Sequence, residues 1–382
     1  MVFNKKKIKH KLIIIGFYLL RIIPIKKNKI VISSFSGKGY GSEGSAICNE
    51  LLKKKYKFDI VWLCDDVKSS FPAGIRAVRF NTLNSMYELA TAKVWIDNRR
   101  KDMFIRKRRN QYYIQAWHGN VCIKKVEKDA DSLPKSYIEK AKSDSKMADI
   151  FVSGSKWRDA NYRNAFWYDG EIVHGDLYNT RYYLNNQETI KRDVCKHFNL
   201  ISDSKIILYA PTFRQDSRLD CYDLDYNRLM EAAKKRFGGD WAVIIRLHPN
   251  VSKLNQYIEY DNRILNGTDY PQIYELISAC DILVSDYSGV IFDGFRFKKY
   301  VFLYASDIDR YLREERGMYF DFKNMPSPLS TNNEEIEKTL IQFDERKYES
   351  RRVSFVNKLG YYDENAARII ADRIEKVVMG GN

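Results

Sequence analysis

Ile282-Leu283-Val284-Ser285-Asp286-Tyr287-Ser288-Gly289 is the stretch that decides how this chain folds. An unbroken apolar run stops in a short polar loop with a glycine, and a helical pattern follows to residue 297. A strand buried on both faces reads this way, because helices cover a parallel sheet on either side. Ser285 or Ser288 can cap the helix, and Gly289 lets another group approach the backbone. A helix start of this kind offers free N–H groups and a positive dipole end, which favour phosphate.

The same grammar recurs upstream. Apolar runs end in Trp117-His118-Gly119, in Ala210-Pro211-Thr212-Phe213-Arg214 and in Arg246-Leu247-His248-Pro249. From residue 29 the pattern predicts strands at 29–35, 58–63, 94–97, 112–117, 149–153 and 171–173, alternating with helices at 43–55, 86–92, 134–147 and 154–167. A polar, charged segment at 185–203 interrupts it. Strands at 206–209, 241–247, 281–284 and 300–304 follow, with helices at 225–237, 271–279, 288–297, 333–343 and 364–378. This alternation predicts an α/β chain of two doubly wound, Rossmann-like domains facing a cleft, at 29–190 and 191–382, behind a separate segment at 1–28. Such sheets bind ligands at the carboxyl ends of their strands. The polar motifs all fall there.

At 382 residues with 45% apolar content, the chain can fill two cores. Its net charge of +16 implies anionic partners. No basic–aromatic RNA-binding signature accompanies that charge, so nucleic acid is not an expected partner. The six cysteines form no C-x-x-C pair, which argues for free thiols in a reducing compartment and against zinc or a disulfide scaffold. Residues 1–30 hold nine Lys/Arg and no acid. Within them 12–25 is apolar apart from Arg21, shorter than the ~20 residues that span a bilayer, and no small-residue cleavage site follows. An amphipathic segment on an anionic membrane surface is expected, with Lys5, Lys6, Lys7, Lys9 and Lys11 toward the headgroups. The alternative is a helix packed on the first domain with its lysines in water. The basic run Arg99-Arg100-Lys101 and Arg106-Lys107-Arg108-Arg109 reads as a solvated loop or as a membrane or acceptor contact.

His118, at a strand end before a glycine, can act as a general base toward a hydroxyl; a structural histidine is the alternative. Arg246 and His248 share a face if the strand continues, and together can hold phosphate oxygens. Thr212 and Arg214 serve either a ligand or a surface turn. Gly37-Lys38-Gly39-Tyr40-Gly41 lacks the full dinucleotide fingerprint, since residue 42 is Ser, and lacks the P-loop lysine. It reads as a tight acceptor-side loop, with Trp117 and Gly119 beside it, or as a plain strand–helix turn. The D-x-D strings at Asp129, Asp223 and Asp307 have no Gly-rich turn, and no metal is assigned to them. No G-x-S-x-G or H-E-x-x-H occurs.

Together, W-H-G at 117–119, A-P-T-F-R at 210–214, R-L-H-P at 246–249, S-D-Y-S at 285–288 and R-G-M-Y-F-D-F at 316–322 resemble the CDP-glycerol glycerophosphotransferase family, the teichoic acid primases and polymerases and related capsule enzymes. The resemblance runs from about Lys29 to about Tyr362. It implies a GT-B-like fold with the nucleotide held mainly by the second domain, in a peripheral enzyme at the cytoplasmic face of the membrane. His118 and His248 match the two family histidines, and Ser285, Asp286 and Ser288 fall in its diphosphate loop.

The reaction so implied moves a polyol phosphate, glycerol phosphate first, from CDP-glycerol or CDP-ribitol to a hydroxyl of an undecaprenyl-linked saccharide or polymer. CMP leaves, and no cofactor is expected. His118 takes the hydroxyl proton, while Arg246, His248 and the loop from Ser285 to Gly289 neutralise the diphosphate. A GT-B glycosyltransferase using a nucleotide sugar and a non-catalytic binder of anionic polymer at the membrane are the rivals. Two departures stand out. The family's G-Y-P-R-N-D run is here Gly175-Asp176-Leu177-Tyr178-Asn179-Thr180, and Asn120 follows W-H-G where a small residue or Thr is commoner. The long N-terminal extension of the polymerases does not precede residue 1, so a primase-size or single-addition enzyme is expected.

Overall fold

Seven parallel strands make the first sheet: β1 (Lys26–Ser33), β2 (Asp59–Cys64), β3 (Ile75–Arg79), β4 (Ala92–Asp97), β5 (Tyr112–Gln115), β6 (Ile150–Ser153) and β7 (Glu171–His174). Their order is β3-β2-β1-β4-β5-β6-β7. The structure is a computed structural model that describes residues 2–131, 133–212, 214, 222–247, 255–314 and 317–380, with the backbone alone for 2–7 and 9. Alternation along β1 sends Ile30 and Ile32 to one face and Val31 to the other. Each face thereby acquires its own core. Helices α1 (Val2–Leu20) and α3 (Leu83–Thr91) cover one, while α2 (Ser42–Leu52) covers the other. Between the sheets' strands run α4 (Lys135–Met147), α5 (Lys156–Ala165), α6 (Thr180–Asn185) and α7 (Gln187–His197).

The second sheet is also parallel, with β8 (Lys205–Tyr209), β9 (Trp241–Ile245), β10 (Ile264–Asn266), β11 (Ile282–Ser285), β12 (Tyr300–Tyr304) and β13 (Leu329–Ser330) in the order β10-β9-β8-β11-β12-β13. Its helices are α8 (Tyr226–Phe237), α9 (Ile273–Ala279), α10 (Val290–Arg296), α11 (Ile308–Glu314), α12 (Asn333–Ile341) and α13 (Glu345–Leu359). The last helix, α14 (Ala366–Met379), closes the first sheet's core beside α2. In each sheet the strand order reverses once, between β1 and β4 and between β8 and β11. Doubly wound sheets open a ligand crevice at that reversal.

Two compact units result: Met1–Asn120, Glu127–Asn179 and Tyr361–Asn382 form one, and Val121–Val126 and Thr180–Gly360 the other. This corrects the boundary expected near residue 190 and the assignment of all of 191–382 to the second domain. Ile370, Ile374 and Val378 lie on one face of α14 and are buried against the first sheet, which the sequence order alone does not reveal. The segment 185–203 is not a linker, because Ile190, Val194 and Cys195 form the buried face of α7. Strands β3, β10 and β13 and helices α11 and α13 were not expected. β3 is an edge strand with no fully buried residue, and α13 buries only Tyr348, Arg352 and Leu359. The strand expected from Lys29 begins at Lys26, so the segment 1–28 is not separate.

Candidate active site

In the first unit the ends of β1, β4 and β5 converge. Trp117 takes φ +48°, a left-handed backbone that a bulky residue adopts only when its surroundings enforce it. The enforcement is visible: Trp117 N donates to Gln115 Oε1 at 3.0 Å, the indole lies edge-on to Phe166, and the Arg100 guanidinium sits 5.2 Å from its ring. His118 follows, stacked on Trp117 at 4.5 Å and tilted against Phe35 at 5.4 Å. Trp117 is thus buried support for the imidazole and not an acceptor-side surface.

His118 Nδ1 lies 2.9 Å from the Asn98 carbonyl. A carbonyl only accepts, so Nδ1 carries the hydrogen and Nε2 carries the lone pair. Burial pushes its pKa down from 6.5 to about 4; the Asn98 carbonyl opposes this, and the charges of Arg99, Arg158 and Arg100 add to it. The ring is neutral at ordinary pH and half-buried, with its basic nitrogen unprotonated.

Sequence reasoning missed Glu43. Its carboxylate is 1% exposed and stands in the first turn of α2. It accepts from Asn98 Nδ2 at 2.8 Å, from Gly119 N at 3.2 Å, and from the Ser42 and Tyr178 hydroxyls. A dinucleotide fold puts phosphate at this helix start. Here the chain places its own carboxyl group there, in the first unit's glycine turn; burial raises its pKa, and the bonds from Ser42, Asn98 and Gly119 oppose that. That turn keeps one Rossmann feature: a Cβ on Gly44 would lie 2.8 Å from Ser34 Oγ and 3.1 Å from Ile32, so only glycine lets α2 approach β1 this closely. Gly37 is buried, Lys38 is exposed and Gly39 half-exposed in the loop between them. Tyr178 shows what the departed G-Y-P-R-N-D run does here: it reaches Glu43. Asn120 is buried against Gly154, and Arg158 Nε donates to its carbonyl at 3.1 Å.

In the second unit the loops after β8 and β11 are tied together. Asp286 Oδ1 accepts from Thr212 N at 2.8 Å and from Tyr287 N at 2.6 Å, and its Oδ2 pairs with Arg214 at 3.0 Å. Arg214 also pairs with Asp307 at 2.7 Å, and its guanidinium lies over the Tyr287 and Tyr311 rings. Burial pushes Asp307 up, but the Arg214 guanidinium outweighs it and holds the carboxyl below its usual range. Arg214 and Asp286, expected on the diphosphate, are closed on each other and brace the loops instead. Ser285 is no cap either: its hydroxyl is fully buried and donates to the Ala210 carbonyl at 2.6 Å. The N-cap of α10 is Gly289, without a side-chain cap bond, and the helix has seven residues.

What remains open to a ligand is narrower. Ser288 and Gly289 are half-exposed. Gly289 also admits the Val121 carbonyl, which would lie 3.2 Å from a Cβ there. Thr212 Oγ1 is buried with no hydrogen-bond partner among the described residues. Arg246, at the end of β9, is half-buried and has no carboxylate partner among the described residues. Its Nη1 donates to the Gly267 and Tyr270 carbonyls at 3.0 and 2.5 Å, and burial lowers its pKa. His248 lies outside the described residues. Among those described, no group of three His, Cys, Asp or Glu side chains could hold a metal ion.

The basic run is mostly not a surface. Arg100 is buried against Glu127 and Asp144, and Lys101 against Asp97. Lys107 pairs with Asp149, and Arg108 donates to the Arg21, Ile23 and Ala90 carbonyls, fixing the exit of α1. Lys107 and Arg108 are therefore structural, Arg106 is half-buried, and Arg109 is exposed. The N-terminal helix packs through Ile13 and Phe17 into the first unit. Its other side shows Ile8, Leu12, Ile15 and Leu19, each between 53% and 62% exposed, and Lys11 is exposed beside them. No described helix is long and apolar enough to cross a membrane.

Comparison with known proteins bears on both units at once. The chain is 30% identical over 386 residues to the teichoic acid glycerol-phosphate transferase of Staphylococcus aureus, covering 95% of this chain and 96% of that one. It is 28% identical to a teichoic acid poly(glycerol phosphate) polymerase of Staphylococcus epidermidis, of which it spans only 51%. Among solved structures, the wall teichoic acid polymerase TagF superposes with a TM-score of 0.83 at 26% identity, over 99% of this chain and 98% of that one. A variant of TagF has also been solved after a soak with CDPG. The fold is GT-B-like, with two Rossmann units. Residues 15–376 match the profile of the CDP-glycerol:poly(glycerophosphate) glycerophosphotransferases, and the chain belongs to that family.

Proposed function

We propose that this protein transfers glycerol phosphate from CDP-glycerol to a hydroxyl of a lipid-linked or polymeric acceptor, releasing CMP, in the synthesis of a teichoic acid or capsule-type polymer. The match of 362 contiguous positions, from 15 to 376, to one family of glycerophosphotransferases carries this reading. The side chains found within each unit have the chemistry it needs. The acceptor hydroxyl gives its proton to His118 Nε2, and its oxygen attacks the glycerol-bearing phosphorus in line. The new O–P bond forms as the bridging P–O bond breaks, and CMP leaves with that electron pair. Arg246, the Thr212 hydroxyl, Ser288 and Gly289, together with His248, neutralise and orient the diphosphate. Positioning and fixed positive charge supply most of the rate in such transfers. No cofactor is part of the proposal.

The acceptor is membrane-bound in this reading, and the exposed stripe of α1 rests on the anionic surface that carries it. The family match favours this reading over the nucleotide-sugar and the non-catalytic ones. The deciding experiment incubates the full chain with CDP-glycerol, CDP-ribitol or a UDP-sugar and a lipid-linked saccharide, then weighs the product by mass spectrometry. Addition of glycerol phosphate with stoichiometric CMP is expected. Product from the UDP-sugar alone, or none from any donor, would refute the assignment.

A further inference from the structure

One buried carboxylate in the first unit grips both sides of the proposed base. Glu43 Oε2 accepts from Asn98 Nδ2, and Asn98 in turn presents its carbonyl to His118 Nδ1 at 2.9 Å. Glu43 Oε1 accepts from Gly119 N, the peptide that follows His118. Asn98 is further fixed by Phe35 N, which donates to its Oδ1 at 2.7 Å, and the Phe35 ring leans on the imidazole. Ser42 and Tyr178 hydroxyls complete the set of donors.

We propose that Glu43 is a positioning residue of the transfer reaction, holding His118 with its hydrogen on Nδ1 and its lone pair on Nε2. The proposal rests on His118 being the base of that reaction. Two obligate N–H donors, Asn98 Nδ2 and Gly119 N, and two hydroxyls converge on the two oxygens of Glu43; burial raises the carboxyl's pKa, the bonds from Ser42, Asn98 and Gly119 oppose that, and each oxygen must accept from one N–H. An amide of the same size would turn one oxygen into an NH₂ facing either Asn98 and Ser42 or Gly119 and Tyr178. Either choice sets donor against donor, and the grip on one side of His118 is lost. The carboxylate does not touch the imidazole. It orients the ring through a carbonyl, so it fixes the tautomer without stabilising a charged ring. That separates this arrangement from a triad, in which the acid bonds the imidazole directly and supports its positive form.

The first test needs no variant. In the full chain labelled with ¹⁵N-histidine, with His118 assigned by His118→Gln, a single neutral tautomer protonated at Nδ1 is expected from about pH 8 to about pH 5. A mixture, or protonation at Nε2, overturns the proposal. In Glu43→Gln the tautomers should become mixed. Turnover should fall about 10- to 100-fold while KM for CDP-glycerol stays within about threefold, as a lost transition-state alignment requires. Glu43→Asp should fall between, because it keeps the acceptor oxygens. A merely structural role would lower melting temperature and leave the tautomer and the turnover of the folded fraction unchanged, and that result also overturns it. If Glu43→Gln does not fold, Asn98→Ala replaces it with the same expectations, since it keeps the carbonyl and cuts the link to Glu43. Failure of the underlying transferase reading is distinguishable: the wild-type chain would then release no CMP from CDP-glycerol even with its tautomer locked.

Discussion

Burial pushes the His118 pKa down to about 4, so its protonation should not limit the free enzyme near pH 6.5. The acid limb of kcat/KM due to His118 is expected close to pH 4. A kcat/KM limb at 6.5 or above would show a solvated base or a different one. His118→Ala should lower turnover about 10²- to 10⁴-fold with nucleotide affinity, measured by calorimetry, little changed. The same depressed pKa links to stability. The unfolded state takes up a proton at about 6.5 and the folded state only near 4, so stability from this group is complete above the first value and drains away between the two. Replacing His118 by Asn should flatten that part of the denaturation profile. His118 was legible in the sequence because a strand end followed by glycine marks it. Glu43 was not: a glutamate in a first helical turn reads as an ordinary dipole partner. Its partners Asn98, Gly119 and Tyr178 lie 55, 76 and 135 positions away, and only the fold gathers them. Arg214 failed for a similar reason, since Asp307, the partner that absorbs its charge, is 93 positions downstream.

Among the elements, α1 carries two apolar stripes with opposite fates. Ile13 and Phe17 face the core, while Ile8, Leu12, Ile15 and Leu19 recur at helical spacing on the open side. Residue substitutions should separate them. Phe17→Ala should cost about 3–5 kcal/mol of stability, measured by denaturant titration. Leu12→Asp with Leu19→Asp should leave stability nearly unchanged and weaken sedimentation with anionic vesicles at least about tenfold, since both insertion and charge suffer. High salt should release the wild-type protein only in part, because burial is not screened. If the double variant sediments like the parent, the open stripe is not the membrane contact. The sequence showed this segment to be basic and apolar but offered packing and membrane binding as alternatives. The helix has enough apolar positions to do both, on different faces. The strands were legible where both faces are buried, as at β8, β9 and β11, and illegible where one face is wet, as at β3.

For the whole molecule, two Rossmann sheets were legible from the alternation of strands and helices, but the path of the chain between them was not. A boundary near residue 190 suggests that either half could be made alone. The structure predicts otherwise. A chain ending at Gly360 lacks α14, and with it the burial of Ile370, Ile374 and Val378. At about 1.5–3 kcal/mol for each such side chain, roughly 5–9 kcal/mol goes, comparable to the whole stability of a domain. The truncated chain should show a melted first unit by hydrogen exchange, with β8 to β12 still protected; equal protection in both sheets would refute this. The same path sets a schedule on the ribosome. The strands of the first sheet are synthesised before Thr180–Gly360, yet the helix that seals one of their faces is synthesised after it. At roughly 5–20 residues per second, that face waits roughly ten to forty seconds for its cover. That open face is therefore expected to bind chaperones until α14 emerges, so the first sheet is completed only by a helix that lies beyond the whole of the second.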